Sequence, residues 1–517
     1  MTKSNQRQET IFFFIAVFIA GLCSLIYELL ISTTSSYFLG DSVKQFSLTI
    51  GVYMAAMGVG SYLTKFIKKD LLEWFIKVEI LLGFVGGASV PILYYVFDRV
   101  SGGEYQFVML SLTAVIGALT GFEIPLLVRI LKTYFPLQSN LAYVLSLDYI
   151  GALFATLLFP FLLLPFVGTF RTSILFGILN ILLGFATYRF FTGKLSLKKK
   201  NWLEWMGIVC VLFFVTLFSM STRLLSDWED SFYNHRIVFA KQTPYQKLVL
   251  TQNRSDLKLY INRIIQFSSN DEYRYHESLA VIPLLSAPYK KNVLILGGGE
   301  GLLAREVLKF PKVESVTIVD LDPEVFRLAK ENVHLKALNE GSLSHPKVKL
   351  VAQDAMAFLK ESQEKYDVIL ADLPDPSNES VARMYSTMFY RLVQSRLSGY
   401  GVFATQATSV FHTNKAYWSI YETLKESGFQ DIHSYHTYVP SFGDWGFHIA
   451  ANQTINPKEF KEVVPCKYLD EVIVPQLFFF EKDVARPEGI EPNRLDQPAL
   501  LHYFLEDWEK LRREKKQ

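Results

Sequence analysis

The feature that most constrains this chain is where its apolar residues lie. Long hydrophobic runs crowd the first 222 of 517 residues and almost vanish afterwards. Seven of them have bilayer-spanning length: roughly 11–31, 45–64, 75–97, 106–128, 140–167, 169–190 and 203–221. In lipid a segment must satisfy its own backbone polar groups, so these runs predict an all-α transmembrane bundle of about seven helices. The first run is too long, and too poorly followed by small residues at a cleavage site, to be a removable signal. Cys23, Cys210 and Cys466 lie far apart, two of them in predicted spans, and indicate neither a disulfide framework nor a zinc site. A formal net charge of +2 argues against a nucleic-acid partner.

Past residue 240 the pattern changes to short apolar runs that stop at glycines and acids. Val293-Leu294-Ile295-Leu296 leads into Gly297-Gly298-Gly299-Glu300-Gly301, and Val368-Ile369-Leu370-Ala371 leads into Asp372-Leu373-Pro374-Asp375. Both read as buried strands ending at the crevice where open α/β sheets bind ligands. The glycine run lacks the Lys followed by Ser or Thr of a phosphate-cradling loop, and Leu302 stands where a dinucleotide fingerprint has its last glycine. What remains, Gly297, Gly299 and Gly301, either admits a ligand close to the backbone or only makes a tight strand-to-helix turn. Val316-Thr317-Ile318-Val319 ends in Asp320, about 20 residues past the glycines, where a ribose hydroxyl pair is bound. Val348-Lys349-Leu350-Val351 ends in Gln353-Asp354-Ala355, an acid placed to accept a hydrogen bond from an adenine amino group. Four successive strand ends, three of them acidic, favour an adenosine-type cofactor without phosphates; S-adenosyl compounds fit. Asp372 and Asp375 add a cationic second substrate, the plainer alternative being a turn before Pro376 capped by Asp375.

Together with Asp320, Asp354 and Asp372-Leu373-Pro374-Asp375-Pro376, the glycine run resembles the motifs of spermidine synthases, the polyamine aminopropyltransferases. The likeness begins at Thr243-Pro244-Tyr245-Gln246 and continues through Gln266-Phe267-Ser268-Ser269 and Asp271-Glu272-Tyr273-Arg274-Tyr275-His276-Glu277. It resumes in Thr405-Gln406-Ala407-Thr408 and Val439-Pro440-Ser441-Phe442-Gly443-Asp444-Trp445, covering roughly residues 235 to 505. The subgroup most resembled carries a membrane domain ahead of the synthase. The resemblance implies that Gln246 and Gln266 contact the sulfonium nucleoside, Asp320 the ribose, and Asp354 with Ala355 the adenine. Glu300 matches a position, usually Asp, that holds the aminopropyl amine of decarboxylated S-adenosylmethionine. Tyr275, His276, Asp372, Asp375 and Gln406 match positions lining the acceptor amine site. Two residues depart from the pattern: Glu300 is one methylene longer than Asp, and Phe442 stands where many soluble members have a Tyr. The resemblance also implies a homodimer, a small polyamine substrate and no metal.

The chemistry is consistent with that likeness. An alkylamine has a pKa near 10, so it arrives protonated and is not yet a nucleophile. Carboxylates bind the cation, and one of them then takes a proton as the lone pair attacks carbon. Asp372 is assigned as that base, Tyr275 hydrogen-bonds the same nitrogen, and Asp375 anchors the amine. The carbon beside a sulfonium is already activated, so in-line positioning supplies most of the rest.

The predicted architecture is therefore a transmembrane helical domain over 1–222, a connector and small β-domain over 223–290, and a doubly wound, Rossmann-like domain of the methyltransferase type over 291–517. Residues 222–240 read as a polar connector containing Trp228, Tyr233 and His235, and Lys247–Leu250 and Lys258–Ile261 as antiparallel strands. The tail ends in Arg512-Arg513-Glu514-Lys515-Lys516, read as a solvated helix end. Glu28, Glu79, Glu123 and Asp148 sit within the spans, either as a path or sensor for polyamine cations or as a polar network with neighbours such as Tyr27 and Tyr149. Glu79 reads as close to the start of its span, beside Lys77.

Lys and Arg cluster at Lys3 and Arg7, at Lys65, Lys68 and Lys69, at Arg129 and Lys132, and at Lys194, Lys198, Lys199 and Lys200, which places the N-terminus in the cytoplasm. Seven spans would then put the second half outside, whereas supply of an S-adenosyl donor puts it in the cytoplasm; the latter is expected. Three functions compete: an aminopropyltransferase making spermidine from putrescine, an S-adenosylmethionine methyltransferase on the same sheet, and a polyamine-binding sensor or transporter with weak catalysis.

Overall fold

In the computed structural model the described residues are 3–514, apart from 40, 41, 98, 101, 133, 134, 195–199, 231, 232, 234, 255 and 460–463. Lys198 and Lys199 of the last basic cluster, and Lys515 and Lys516 of the tail, lie outside them. The chain divides into two compact units, 1–228 and 229–517.

Every element of the first unit is a helix among its described residues. It contains α1 (Lys3–Leu39), α2 (Ser42–Leu63), α3 (Leu71–Phe97), α4 (Gly102–Leu131) and α5 (Leu137–Leu158). The wider turns of Phe159–Leu163 carry α5 into the short α6 (Leu164–Phe166); α7 (Thr169–Phe190) and α8 (Lys200–Asp230) follow. Seven of these segments are long and apolar enough to cross a membrane. Helix α8 continues nine residues past the end of the apolar run, so the start of the expected connector is helical. Small residues bring α2 and α4 into backbone contact: a Cβ on Gly121 would stand 2.1 Å from the Met57 carbonyl oxygen. Close approach of this kind substitutes for the hydrophobic drive that lipid does not provide.

Helix α3 starts earlier than the apolar pattern suggested, which moves Glu79 from a helix end to the interior. Its side chain is fully buried and accepts a 2.9 Å hydrogen bond from Asn180 Nδ2, while Lys77 pairs instead with Glu73 at 2.7 Å. Tyr149 is 67% exposed, so it does not serve as an internal partner for the acids.

The second unit opens with a four-stranded antiparallel sheet: β1 (Arg236–Gln242), β2 (Lys247–Asn253), β3 (Asp256–Ile261) and β4 (Ile264–Ser268), in that order. The alternating runs had suggested only β2 and β3. A seven-stranded sheet follows, from β5 (Asn292–Gly297), β6 (Ser315–Asp320), β7 (Val348–Ala352), β8 (Tyr366–Asp372), β9 (Leu397–Ser409), β10 (Asp431–Val439) and β11 (Gly443–Ala451). Its order is β10-β11-β9-β8-β5-β6-β7; the five from β9 to β7 are parallel, and β11 and β10 complete it antiparallel. The chain steps outward from β5 to β6 and β7 on one side and returns to β8 on the other. The crevice therefore opens at the carboxyl ends of β5 and β8.

Between the sheets runs α9 (Glu272–Ser286), and the connections carry α10 (Leu302–Leu308), α11 (Pro323–Glu331), α12 (Val333–Leu338), α13 (Ala355–Glu361), α14 (Glu379–Ala382), α15 (Thr387–Arg396) and α16 (Asn414–Ser427). A tighter turn at Arg383–Tyr385 separates α14 from α15, and the Ser386 hydroxyl caps α15 by accepting from the Phe389 N–H. Such a hydroxyl competes with the helical backbone and starts a new helix instead. Helices α17 (Ile473–Gln476) and α18 (Ala499–Glu514) complete the unit. Val293, Ile295, Ile318 and Leu370 face one core of the sheet, and Leu294, Leu296, Val319 and Ile369 the other. Burial on both faces is what makes these strands continuous apolar runs.

Candidate active site

The floor of the crevice is main chain. Gly297 and Asp372 are register partners at the ends of β5 and β8. Gly297 has φ +84°, and a Cβ there would stand 1.9 Å from the Asp372 carbonyl oxygen, so neither the conformation nor the space admits a side chain. A Cβ on Gly299 would stand 2.6 Å from Asp320 Oδ2. Without it, the Gly299 N–H donates to that oxygen at 3.1 Å, and the Asp322 N–H donates to Asp320 Oδ1 at 3.0 Å. These bonds fix Asp320 beside the glycine turn. Burial pushes its carboxyl up to about 6, against the lowering effect of the Asp322 N–H. The β1–β2 turn is tied to the same place, because Thr243 Oγ1 donates to Asp322 Oδ2 at 2.7 Å.

Above the floor, Tyr275 and His276 on α9 meet Glu300 and Asp372. The Tyr275 hydroxyl donates to Asp372 Oδ1 at 2.6 Å. Burial, reinforced by Glu300, pushes Asp372 up to about 7, while His276 and Tyr275 oppose the rise. Asp375 Oδ1 is buried without a hydrogen-bond partner, and burial pushes that carboxyl up to about 7, against the lowering effect of Thr408 and Gln406. Glu300 Oε1 is likewise buried and unpartnered by a hydrogen bond, with His276 Nε2 3.7 Å away. Burial would lower His276, but its contacts to Glu272 and Glu300 outweigh that and raise it to about 10. Unsatisfied buried carboxylate oxygens are expensive unless a donor arrives.

His276, Glu300 and Asp372 offer atoms within 4.8 Å of one another, close enough to enclose one small cation. An alkylammonium in that position would meet carboxylate oxygens of both Glu300 and Asp372.

Other residues expected in the site are placed with partners of their own. Gln406 gives its amide to the Leu373 carbonyl at 2.6 Å and the Tyr385 hydroxyl at 2.5 Å, and its oxygen accepts from the Thr408 N–H at 2.8 Å. It holds the loop that carries the two acids. Asp354 caps α13 through the Ala357 N–H at 3.0 Å and pairs with Arg383 at 2.5 Å; Ala355 is the first residue of that helix. Gln246 is half-buried in the turn anchored by Thr243, and Gln266, also half-buried, bonds the carbonyl of Ile264 on its own strand at 3.2 Å. Phe442 lies 6.0 Å from the Tyr275 ring and 5.1 Å from that of Trp445.

Sequence reasoning gave no role to Glu272, Glu277, Arg305, Arg383 or Tyr385. Glu272 and His276 are four residues apart on one helix, a spacing that places them together, and they meet at 2.7 Å. Glu277 points the other way and accepts from the N–H groups of Lys467, Tyr468 and Leu469 at 2.6, 2.9 and 3.1 Å, tying the tail to α9. Arg305 and Tyr385 reach their partners across 33 and 12 residues, with no local signal.

Residues 272–462 match the model of the spermine/spermidine synthase domain. The chain is 41% identical over 500 residues to a polyamine aminopropyltransferase of Leptospira interrogans, covering 96% of this chain and 99% of that one. Similar proteins of the same name occur in Oceanobacillus iheyensis (36% identical; 95% of this chain, 96% of that one) and Mycobacterium tuberculosis (34%; 96% of each). A spermidine synthase solved with the transition state analogue AdoDATO is 25% identical with a TM-score of 0.45, over 48% of this chain and 87% of that one.

Proposed function

Since this chain belongs to the polyamine aminopropyltransferase family, we propose that it is a membrane-bound enzyme joining the aminopropyl group of decarboxylated S-adenosylmethionine to a diamine such as putrescine, giving spermidine and methylthioadenosine. The observation that carries this reading is Asp372, a half-buried carboxylate held by the Tyr275 hydroxyl at 2.6 Å in register with the glycine turn. Asp320 would hold the ribose, Asp354 and Ala355 the adenine, and Glu300 the donor's ammonium. The far ammonium of the diamine would sit against Asp375, whose Oδ1 makes no hydrogen bond.

The attacking nitrogen must lose a proton. Asp372, raised to about 7, is ionised often enough near neutrality to receive it, yet basic enough to hold it. The lone pair then attacks the aminopropyl carbon, the carbon–sulfur bond breaks, and its electrons neutralise the sulfonium. One N–C bond forms, one C–S bond breaks, and the proton resides on Asp372 before leaving to water. The nucleoside would approach the main chain of the Gly297 turn.

The seven apolar helices would anchor the enzyme in the cell membrane as a multi-pass protein. Donor supply assigns the catalytic unit to the cytoplasmic side, against the loop-charge bias, and the assembly to a homodimer by family likeness. Membrane-impermeant labelling of a cysteine introduced at exposed Lys330 in intact cells tests the side; labelling without permeabilisation would overturn it. Mass spectrometry of products from the purified protein, given decarboxylated or ordinary S-adenosylmethionine with a panel of amines, tests the reaction. Spermidine formed only from the decarboxylated donor is expected; methylated amine, or an amine bound but never converted, would overturn the reading.

A further inference from the structure

Glu272 and Arg305 form a buried charge pair near the crevice, though neither lines it. Arg305 Nη2 donates to both Glu272 oxygens at 2.9 Å, its Nε to Glu306 Oε1 at 2.9 Å, and its Nη1 to the Leu338 carbonyl at 2.8 Å. Glu272 in turn faces His276 Nδ1 with its carboxylate at 2.7 Å and its own carbonyl at 2.8 Å. Both of those oxygens can only accept, so Nδ1 carries a hydrogen in every protonation state of the ring. The atom that titrates is therefore Nε2, on the crevice side.

The groups facing that ring are Glu272 on its own helix, Glu300 from the glycine turn, Asp372 at the end of β8, and Tyr275 beside it, ring centroids 5.1 Å apart. Three carboxylates surround one buried ring. With the crevice empty, the Nε2–H is the nearest cation to Glu300 Oε1, an oxygen otherwise without a partner. A substrate ammonium brought to Glu300 would place a second positive charge within a few ångströms of the first. In a poorly solvated site such a pair is strongly disfavoured, and the charge that can leave is the proton.

We propose that Arg305 and Glu272 are positioning residues that hold His276 as a replaceable cation: its Nε2–H neutralises Glu300 while the crevice is empty and leaves when the donor's ammonium takes that carboxylate. The Nε2–H bond breaks, the proton goes to solvent, and the electron pair stays on Nε2. That lone pair then faces the ammonium as a further acceptor beside Glu300. Donor binding thereby exchanges one positive charge for another, and the pocket does not collect repelling cations. The inference rests on the donor assignment made above.

Calorimetry of the full chain in detergent, with decarboxylated donor and no acceptor, in two buffers of different ionisation enthalpy at about pH 8.5, reads the exchanged protons directly. Asp320, Asp372 and Asp375, at about 6, 7 and 7, are already ionised there and contribute none. Roughly one proton released per donor bound is expected. Methylthioadenosine, which lacks the ammonium, should bind without release, and His276→Gln should bind donor without release. Glu272→Gln should lose the release although His276 is still present, a result that a merely structural role would not give. Arg305→Lys, which keeps the charge but not the fork, should reduce it and serves if Glu272→Gln does not fold. Donor binding with no proton release, or undiminished release in His276→Gln, overturns the inference alone. Absence of any donor binding overturns the donor assignment and the inference with it.

Discussion

Replacing Tyr275 by Phe removes one hydroxyl and leaves the ring, and its consequence can be worked out from a single contact. The hydroxyl donates to Asp372 Oδ1 at 2.6 Å and opposes the rise that burial and Glu300 impose on that carboxylate. A hydrogen bond to a charged group contributes about 1.5–3 kcal/mol, and one pKa unit corresponds to about 1.4 kcal/mol. Losing it should move the acid limb of kcat/KM from about 7 to about 8–9. The sign follows from the base being active when ionised: activity is lost as pH falls through that value, so a higher value costs activity at neutrality. At pH 7.5 the ionised fraction would drop from roughly three quarters to between one quarter and a few per cent, a fall of about 3- to 25-fold. At pH near 10 the variant should recover most of the wild-type rate. A kcat/KM profile from pH 6 to 10, with methylthioadenosine as the measured product, checks this. An unshifted limb, or the same fractional loss at every pH, would refute the view that Tyr275 acts through the Asp372 charge.

Asp372→Asn keeps shape and hydrogen bonding but removes the acceptor, so kcat should fall at least about a hundredfold with donor affinity little changed in a calorimetric titration. Gly297→Ala should destabilise the catalytic unit by about 2–4 kcal/mol, because a Cβ meets the Asp372 carbonyl and φ is +84°; a melting temperature equal to wild type would contradict the close approach. Replacing Glu28, Glu123 and Asp148 together by Gln or Asn should leave spermidine synthesis in detergent intact if the helices only anchor; loss of polyamine uptake with synthesis preserved would show that they do more.

The strand ends were legible because buried parallel strands are apolar runs, and their endings at Gly297, Asp320, Asp354 and Asp372 need residue types that a core would exclude. The spans were legible by length alone. The partners of those residues were not. Nothing near Gln406 indicates that its amide is engaged by Leu373 and Tyr385, or near Asp354 that Arg383 reaches it. Arg305 carried no signal in the sequence, yet it is 7% exposed and its Nη2 bonds a carboxylate 33 positions earlier. Glu79 was misplaced because apolarity marks the lipid-crossing part of a helix, and α3 continues in less apolar turns at its start.

The loop bearing Asp372 and Asp375 is bracketed from behind: Gln406 and Tyr385 bind the Leu373 carbonyl, and Tyr385 also binds that of Pro374 at 3.0 Å. Because the bracket grips main chain, it holds the backbone that carries the two acids. Under the proposed function the loop would act as a ruler of set length, unable to stretch for a longer diamine. A change in preferred chain length would then come from Phe442, which packs on Tyr275 and Trp445 and where a polar ring would offer the amine a third contact. A relative that keeps Asp372, Asp375, Tyr385 and Gln406 but differs at 442 would read the same two ends of its substrate and judge the middle differently.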